Sequence, residues 1–382
     1  MFYTAKQVPA CHDWSAAQLG GAPLWFGQAY WMLTGDDTLL RASKSGVGSM
    51  AASGLVKHVV IIVKENHTFD NYFGTFPGAN GAVFPHASDP LHDPPHDHGA
   101  WLNRNGPKGA VRLQYTKTDI PAYWVYAQQY TLCDNYFTDV ASQSEPNHLM
   151  LIAADSPIID NASPNRTYQP QPPYNLPSLP EALAAAGHEW RGYADQNASY
   201  FRHIAKLAGH AANVPADQFD KDVARGYLPA VCWLYAPDGK SEHPPWKPGA
   251  GPVVGPGMQW TADRVTKVAN SSMWGSTAIF ITWDDWGGWH DHVDPPQDMS
   301  WRGGGPKGYT GSQFRYGPRV PCLVVSPYAK SGYISKVQHS HVSLVKFCCT
   351  QFGIPTWNDR LKKADDMSDC FDFKQKPAPA PR

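Results

Sequence analysis

The sequence has few cysteines and no paired ones. Cys11, Cys133, Cys232, Cys322, Cys348, Cys349 and Cys370 are scattered over 382 residues, and none forms a Cys-x-x-Cys motif. Their odd number and the apolar settings of Cys322 and Cys348 read as buried free thiols, with one or two disulfides open to an exported chain. Surplus charge is also missing: 32 Lys and Arg balance 33 Asp and Glu, a net charge of -1. That balance excludes the basic footprint of a nucleic-acid-binding protein and of a polybasic membrane surface. No apolar run approaches the roughly 20 residues of a membrane-spanning helix. The aromatic stretch near the start, "PLWFGQAYWML", is followed by Asp36 and Asp37 and makes no clear signal peptide. The GxSxG elbow, the Walker loop, HExxH and a strand-to-helix GxGxxG are all absent. Their absence weighs against an α/β-hydrolase, an NTPase, a zincin metalloprotease and a dinucleotide enzyme.

Proline (35), glycine (33) and tryptophan (15) are plentiful, against only 17% charged residues. This composition fits a loop-rich fold rather than a helical bundle, with some aromatic rings left outside the core to wall a pocket or meet lipid. Residues 1–54 read as an irregular leader, residues 55–373 as one catalytic domain and residues 374–382 as a disordered Pro-rich tail. Within the domain, "VVIIV" at Val59–Val63, "YLPAVCWLYA", "STAIFITWDD" and "RVPCLVVSPYA" read as strands. "SLPEALAAAG", with its Ser/Glu start and Gly stop, and "HVSLVKFCCTQFG", ending at Gly353 before Pro355, read as helices. "HLMLIAA" reads as a short buried helix or strand. Alternation of strands and helices predicts an α/β layered domain with a largely parallel sheet. Ligands of such sheets bind at the carboxyl ends of the strands.

That rule brings two acidic strand ends to one edge: Glu65–Asn66 after the first strand, and Asp284–Asp285 after "AIFITW". Adjacent carboxylates repel unless a positive charge lies between them. Oxygen donors from Glu65, Asn66, Asp284 and Asp285 suit a hard or borderline divalent cation such as Zn, Mn, Mg or Ca. Taken alone, the Asp pair is better read as a cap on the following turn. A second acidic end in the same sheet reverses that preference. Gly287–Gly288 lets the chain turn sharply beside the site. "SQSEPNHLM" places Ser144 at the start of an apolar helix, where the N–H groups and dipole favour an anion. An N-cap serine is the commoner reading of that position, and position alone does not separate it from a nucleophile. The 16 histidines cluster in Asp/Pro loops, where they are suited to donate to phosphate oxygens, protonate a leaving group or bind metal.

"IIVKENHTFDNYFGTFPG", "DPPHDH", "SQSEPNHLMLIAA", "SEHPP", "FITWDDWGGWHDHVDPP", "HSHVSLVKF" and "DDMSDCFDF" occur in the order seen in a known family. The chain from about Val56 to Phe373 resembles the bacterial phospholipase C and acid phosphatase phosphoesterases, relatives of the alkaline phosphatase superfamily. The resemblance implies an alkaline-phosphatase-like layered fold and a secreted or periplasmic protein. It implies Ser144 as the nucleophile, and metal ligands at Glu65, Asn66, Asp284 and Asp285. It further implies phosphate-proximal His96 and His243, with His292 and His341 in supporting positions. Ser142, Gln143 and Glu145 depart from the family's Gly-Pro before the nucleophile and His after it, and Asp285–Trp286 stands where the family commonly has Glu-His. Ser142 thus competes with Ser144 for the nucleophile's place, though Pro146–Asn147 sets the register on Ser144. Glu145 brings a negative charge beside the expected phosphate. The long C-terminal β domains of haemolytic members are not in this chain, which weighs against membrane lysis.

The expected activity is metal-dependent phosphoric ester hydrolysis through a phosphoserine, on a phosphate ester such as a phospholipid or phosphocholine ester. Trp286 and Trp289 are candidates either to wall a choline pocket or to fill the core. The rival reading is a non-catalytic, aromatic-rich binding module on a degenerate phosphatase scaffold, motivated by the altered nucleophile loop.

Overall fold

Val59–Val63 is buried on both faces within strand β1, His58–Lys64. β-branched residues without polar alternation suit a central parallel strand, because neighbours and helices cover it on all sides. The computed structural model describes residues 54–89, 91–195, 200–246, 249–297 and 316–381. The expected leader lies outside them but for Gly54.

The remaining strands are β2 (Thr131–Cys133), β3 (Tyr136–Phe137), β4 (Trp190–Tyr193), β5 (Asn213–Val214), β6 (Val231–Tyr235), β7 (Thr277–Trp283), β8 (Cys322–Val325), β9 (Tyr333–Ser335) and β10 (His339–Ser340). Eight of them form one sheet in the order β5-β4-β6-β1-β7-β8-β2-β9. β1 pairs parallel with β6 and β7, and the β4–β6, β4–β5 and β2–β9 pairs are also parallel. Only β8 runs against its neighbours, β7 and β2. β3 and β10 make a separate parallel pair. The architecture is therefore the expected α/β fold with a largely parallel central sheet.

"HLMLIAA" resolves as helix. It belongs to Ser144–Ala153, every residue of which is buried. The His341–Phe352 helix packs against it and stops at Gly353, whose φ of 67° is the left-handed conformation that glycine tolerates best. The sequence reading has no counterpart for the 16-residue helix Val254–Ala269. Gly255, Pro256 and Gly257 in its first turn look like loop. The helix persists because Met258, Thr261, Val265 and Val268 recur at helical spacing and are buried along one stripe. The tail read as disordered is held instead: Ala378 donates its N–H to Pro327 O at 2.8 Å, and Tyr130 Oη donates to Pro379 O at 2.8 Å. Trp286 and Trp289 are each 1% exposed, which settles them as interior rings rather than pocket walls.

Candidate active site at the strand ends

The register Lys64↔Trp283 aligns the ends of β1 and β7, so Glu65 and Asp284 leave the sheet side by side. Asp284 N–H donates to Lys64 O at 3.0 Å, and Asn66 N–H donates to Asp284 Oδ1 at 3.2 Å. Asn66 adopts φ 69°, an uncommon conformation for a non-glycine residue that turns its side chain into the site. The Gly287–Gly288 turn packs on that bend. A Cβ at Gly287 would meet Asn66 O at 2.4 Å, so no larger residue fits there.

One ligand atom each from Glu65, His148 and Asp284 lies within 4.8 Å of the other two. His148 Nε2 is 3.2 Å from Asp284 Oδ2, yet neither atom has a hydrogen-bond partner, and Asn66 Oδ1 is likewise buried and unpartnered. Orphaned buried polar atoms are expensive unless something binds them. Burial and the neighbouring charge of Asp284 push the carboxyls of Glu65 and Asp285 well above the ordinary carboxylate range. Burial opposes ionisation of Asp284 as well, but His148, Ser144 and the Asn66 N–H outweigh it and hold its pKa below the usual value. Crowded carboxylates, an imidazole and an amide oxygen together make a donor set that fits a divalent cation.

Ser144 opens its helix beside this cluster, and its Oγ lies 3.2 Å from Asp285 Oδ2. Asn147 fixes the loop ahead of it. Its Oδ1 accepts from the N–H groups of Asp139 and Val140, and its Nδ2 donates to Val140 O and Gln143 O. Ser142 is engaged elsewhere, donating to Asp160 Oδ1 at 2.6 Å. Glu145 is also turned away, to His203 Nδ1 at 2.6 Å, Tyr174 Oη and the Ala162 N–H. The departures that cast doubt on the nucleophile loop are therefore absorbed by partners outside the site.

His96 and His243 come together with Asp93, one ligand atom from each lying within 4.8 Å of the others. Asn66 Nδ2 is 3.3 Å from His96 Nε2, which ties this group to the strand ends. His341 Nε2 donates to Asp284 O at 2.8 Å, behind the carboxylates. His292 is not brought to them by any contact: it binds Asp70 Oδ2 at 2.7 Å, in a network with Arg319 and Asp291. Sequence reasoning missed His148, Asp93, Tyr200 and Tyr235. His148 follows Ser144 by one helical turn, so its i+4 spacing was a usable signal. Tyr200 stacks on the His148 ring at 4.0 Å and Tyr235 leans on it at 5.3 Å. Nothing in the local sequence of either tyrosine marks it.

The phosphoesterase family model matches residues 56–94 and 95–355. The chain belongs to the phosphoesterase family. It is 27% identical over 430 residues to the non-hemolytic phospholipase C of Burkholderia pseudomallei, a match covering 83% of this chain and 59% of that one. It is 28% identical over 421 residues to phospholipase C A of Mycobacterium tuberculosis, covering 84% of this chain and 78% of that one. In structure it is similar to the lipoteichoic acid synthase LtaP from Listeria monocytogenes, with a TM-score of 0.49 and 12% identity over 85% of this chain and 80% of that one. Both of these sequence relatives carry the names of phosphoric ester hydrolases. No helix among the described residues is long and apolar enough to cross a membrane.

Proposed function

We propose that this member of the phosphoesterase family is a metal-dependent phosphoric ester hydrolase in which Ser144 is the nucleophile and a phosphoserine the intermediate. One observation carries the reading. A buried hydroxyl at a helix start touches a carboxylate of a crowded, partly unpartnered donor cluster at the ends of two parallel strands. Glu65, Asn66, Asp284 and His148 would hold the cation, and Asp285 touches the Ser144 hydroxyl beside them. A cation bound there would supply Lewis-acid neutralisation of phosphate oxygens and a lowered pKa for a bound hydroxyl.

The chain's own groups account for the rest. Asp285 Oδ2 orients the Ser144 hydroxyl and takes its proton. Oγ attacks phosphorus in line, the Oγ–P bond forms and the bond to the leaving alkoxide breaks. His96 or His243 gives the alkoxide its proton; water then cleaves the phosphoserine with the same histidine as base, and Asp285 returns its proton to the departing Ser144 Oγ. The phospholipase C names of the relatives favour a phosphodiester of the phospholipid or phosphocholine kind. Trp246, 73% exposed and 5.1 Å ring-to-ring from His243, gives such a headgroup an aromatic surface.

The deciding assay is hydrolysis of p-nitrophenyl phosphate and p-nitrophenylphosphorylcholine, with and without chelator. Turnover that chelation abolishes and a divalent ion restores supports the proposal. Binding of either ester without turnover under metal-replete conditions would favour the non-catalytic module instead.

A further inference from the structure

A second group of metal-ligating side chains lies outside the catalytic cluster, where the C-terminal turn Ser368–Cys370 meets the β2–β9 end of the sheet. Cys133 on β2, His339 on β10 and Cys370 each place a ligand atom within 4.8 Å of the others, and all three are 1% exposed or less. The measured separations are 3.7 Å for Cys133 Sγ to Cys370 Sγ, 3.9 Å for Cys370 Sγ to His339 Nε2, 3.5 Å for Cys370 Sγ to Asp369 Oδ1, and 3.2 Å for His339 Nε2 to Asp369 Oδ1. Tetrahedral zinc with ordinary Zn–S, Zn–N and Zn–O bonds sets these edges at about 3.8, 3.6, 3.6 and 3.4 Å respectively. These four of the six edges of such a site agree to within about 0.3 Å.

The surrounding groups support the same reading. His339 Nδ1 lies 2.7 Å from Asp365 Oδ1, an ion-pair contact that places a carboxylate on the far side of the ring from Nε2. Ser335 Oγ donates to Asp369 Oδ2 at 2.5 Å, which orders that carboxylate. The six described cysteines are free thiols, and the proposed phosphoester chemistry uses none of them.

We propose that Cys133, His339, Cys370 and Asp369 form a structural zinc site that pins the C-terminal turn to the end of the sheet. The two cysteines enter as thiolates, so binding releases their protons to solvent.

The test uses the full chain. It is loaded with Zn2+, freed of excess ion and assayed for bound metal by elemental analysis. Co2+ is then exchanged in and the near-ultraviolet spectrum recorded. A thiolate-to-cobalt charge-transfer band is expected, and the catalytic donors, all oxygen and imidazole, produce none. Cys370→Ser should lose that band and hold one equivalent of Zn2+ less than the wild type. Should that variant misfold, thiol alkylation of the wild type decides: Cys133 and Cys370 should be protected with Zn2+ and become reactive after chelation. A wild-type spectrum without the band, thiols equally reactive in both states, or a Cys133–Cys370 disulfide, seen as a mass lacking two hydrogens, would each overturn the site.

Discussion

His148 Nε2 lies 3.2 Å from Asp284 Oδ2, and neither atom has a hydrogen-bond partner. The two atoms close on each other without a well-directed hydrogen bond, and a ligand atom of Glu65 lies within 4.8 Å of one from each. His148→Ala should therefore lower the affinity for a divalent cation by more than about tenfold, the least that losing even an outer partner of a metal site costs. Isothermal titration with Mn2+ or Zn2+ measures it. Unchanged affinity would remove His148 from the donor set.

Ser144→Ala should abolish turnover while leaving metal content and melting temperature near wild type, because only the attacking oxygen is lost. The loss should fall on kcat and kcat/KM together, as for a group that acts in the transition state. Ser142→Ala should keep most of the activity and lose stability, since Ser142 Oγ is bound to Asp160. Mass-spectrometric mapping of a phosphoserine trapped by acid quench reads the position directly. Label on Ser142 would mean that the register is wrong.

The strand ends were legible because their chemistry is local. An apolar run that stops on Glu65–Asn66, and another that stops on Asp284–Asp285, declare themselves in a parallel sheet whatever the topology. The partners that complete the site were not, because they arrive from elsewhere. His148 is hidden inside a helix, Asp93 in a histidine-rich loop, Tyr235 at the end of β6 beside β1, and Tyr200 in the short turn Tyr200–His203. The fold shows the same division. Buried strands and the capped His341–Phe352 helix were readable from period and stop signals. The Val254–Ala269 helix was not, because its glycine- and proline-rich first turn mimics a loop and only tertiary burial holds it helical. The C-terminal segment was misread for the same reason. Its composition is that of a disordered tail, while its backbone is fixed by distant Tyr130, Trp274 and Pro327.

Trp246→Ala tests the headgroup surface. It should raise KM for p-nitrophenylphosphorylcholine by about two- to fivefold, the worth of an exposed cation–π contact. The KM for p-nitrophenyl phosphate, which has no quaternary ammonium, should stay close to wild type. Equal effects on both esters would mean that the ring supports His243 rather than the substrate.

Acid stability depends on Asp222, away from the strand ends. Burial alone would raise its pKa, but Tyr193, Gln218 and Arg191 all bond to the carboxylate and hold it below the usual 3.8. The ionised form is thus favoured by folding. Its contribution is fully present above the unfolded-state value near 3.8 and is lost as pH falls from there through the folded-state pKa. Asp222→Asn should be about 1.5–3 kcal/mol less stable than wild type at pH 7, the range for hydrogen bonds to a charged group. Urea denaturation should show that gap narrowing at pH 3. A gap that does not change with pH would mean that packing, not charge, is what the carboxylate supplies.

Glu242 and Lys64 form the buried frame behind the site. Lys64 Nζ is 3.3 Å from Glu242 Oε1, and both side chains are fully buried. Glu242 also accepts from Tyr72 Oη at 2.8 Å, Tyr123 Oη at 2.5 Å and Trp283 Nε1 at 3.0 Å. Burial pulls the two pKa values toward the neutral forms, Lys64 down and Glu242 up, and the pair offsets part of that cost for each partner. Lys64 immediately precedes Glu65, and Glu242 immediately precedes His243, so one ion pair locks the strand end of the proposed metal site to the loop of the proposed acid. Glu242→Ala would leave Lys64 buried without its counter-ion and strip Tyr72, Tyr123 and Trp283 of the carboxylate they share. Breaking a buried pair from one side costs about 3–5 kcal/mol. The variant should unfold at correspondingly lower denaturant, and the molecules that remain folded should show a lower kcat, because His243 is no longer held. Replacing both partners, as in Lys64→Met with Glu242→Gln, should recover much of the stability without restoring kcat fully. If the double variant were as unstable as Glu242→Ala alone, the hydrogen bonds to the tyrosines and Trp283, rather than the ion pair, would be what holds this frame together.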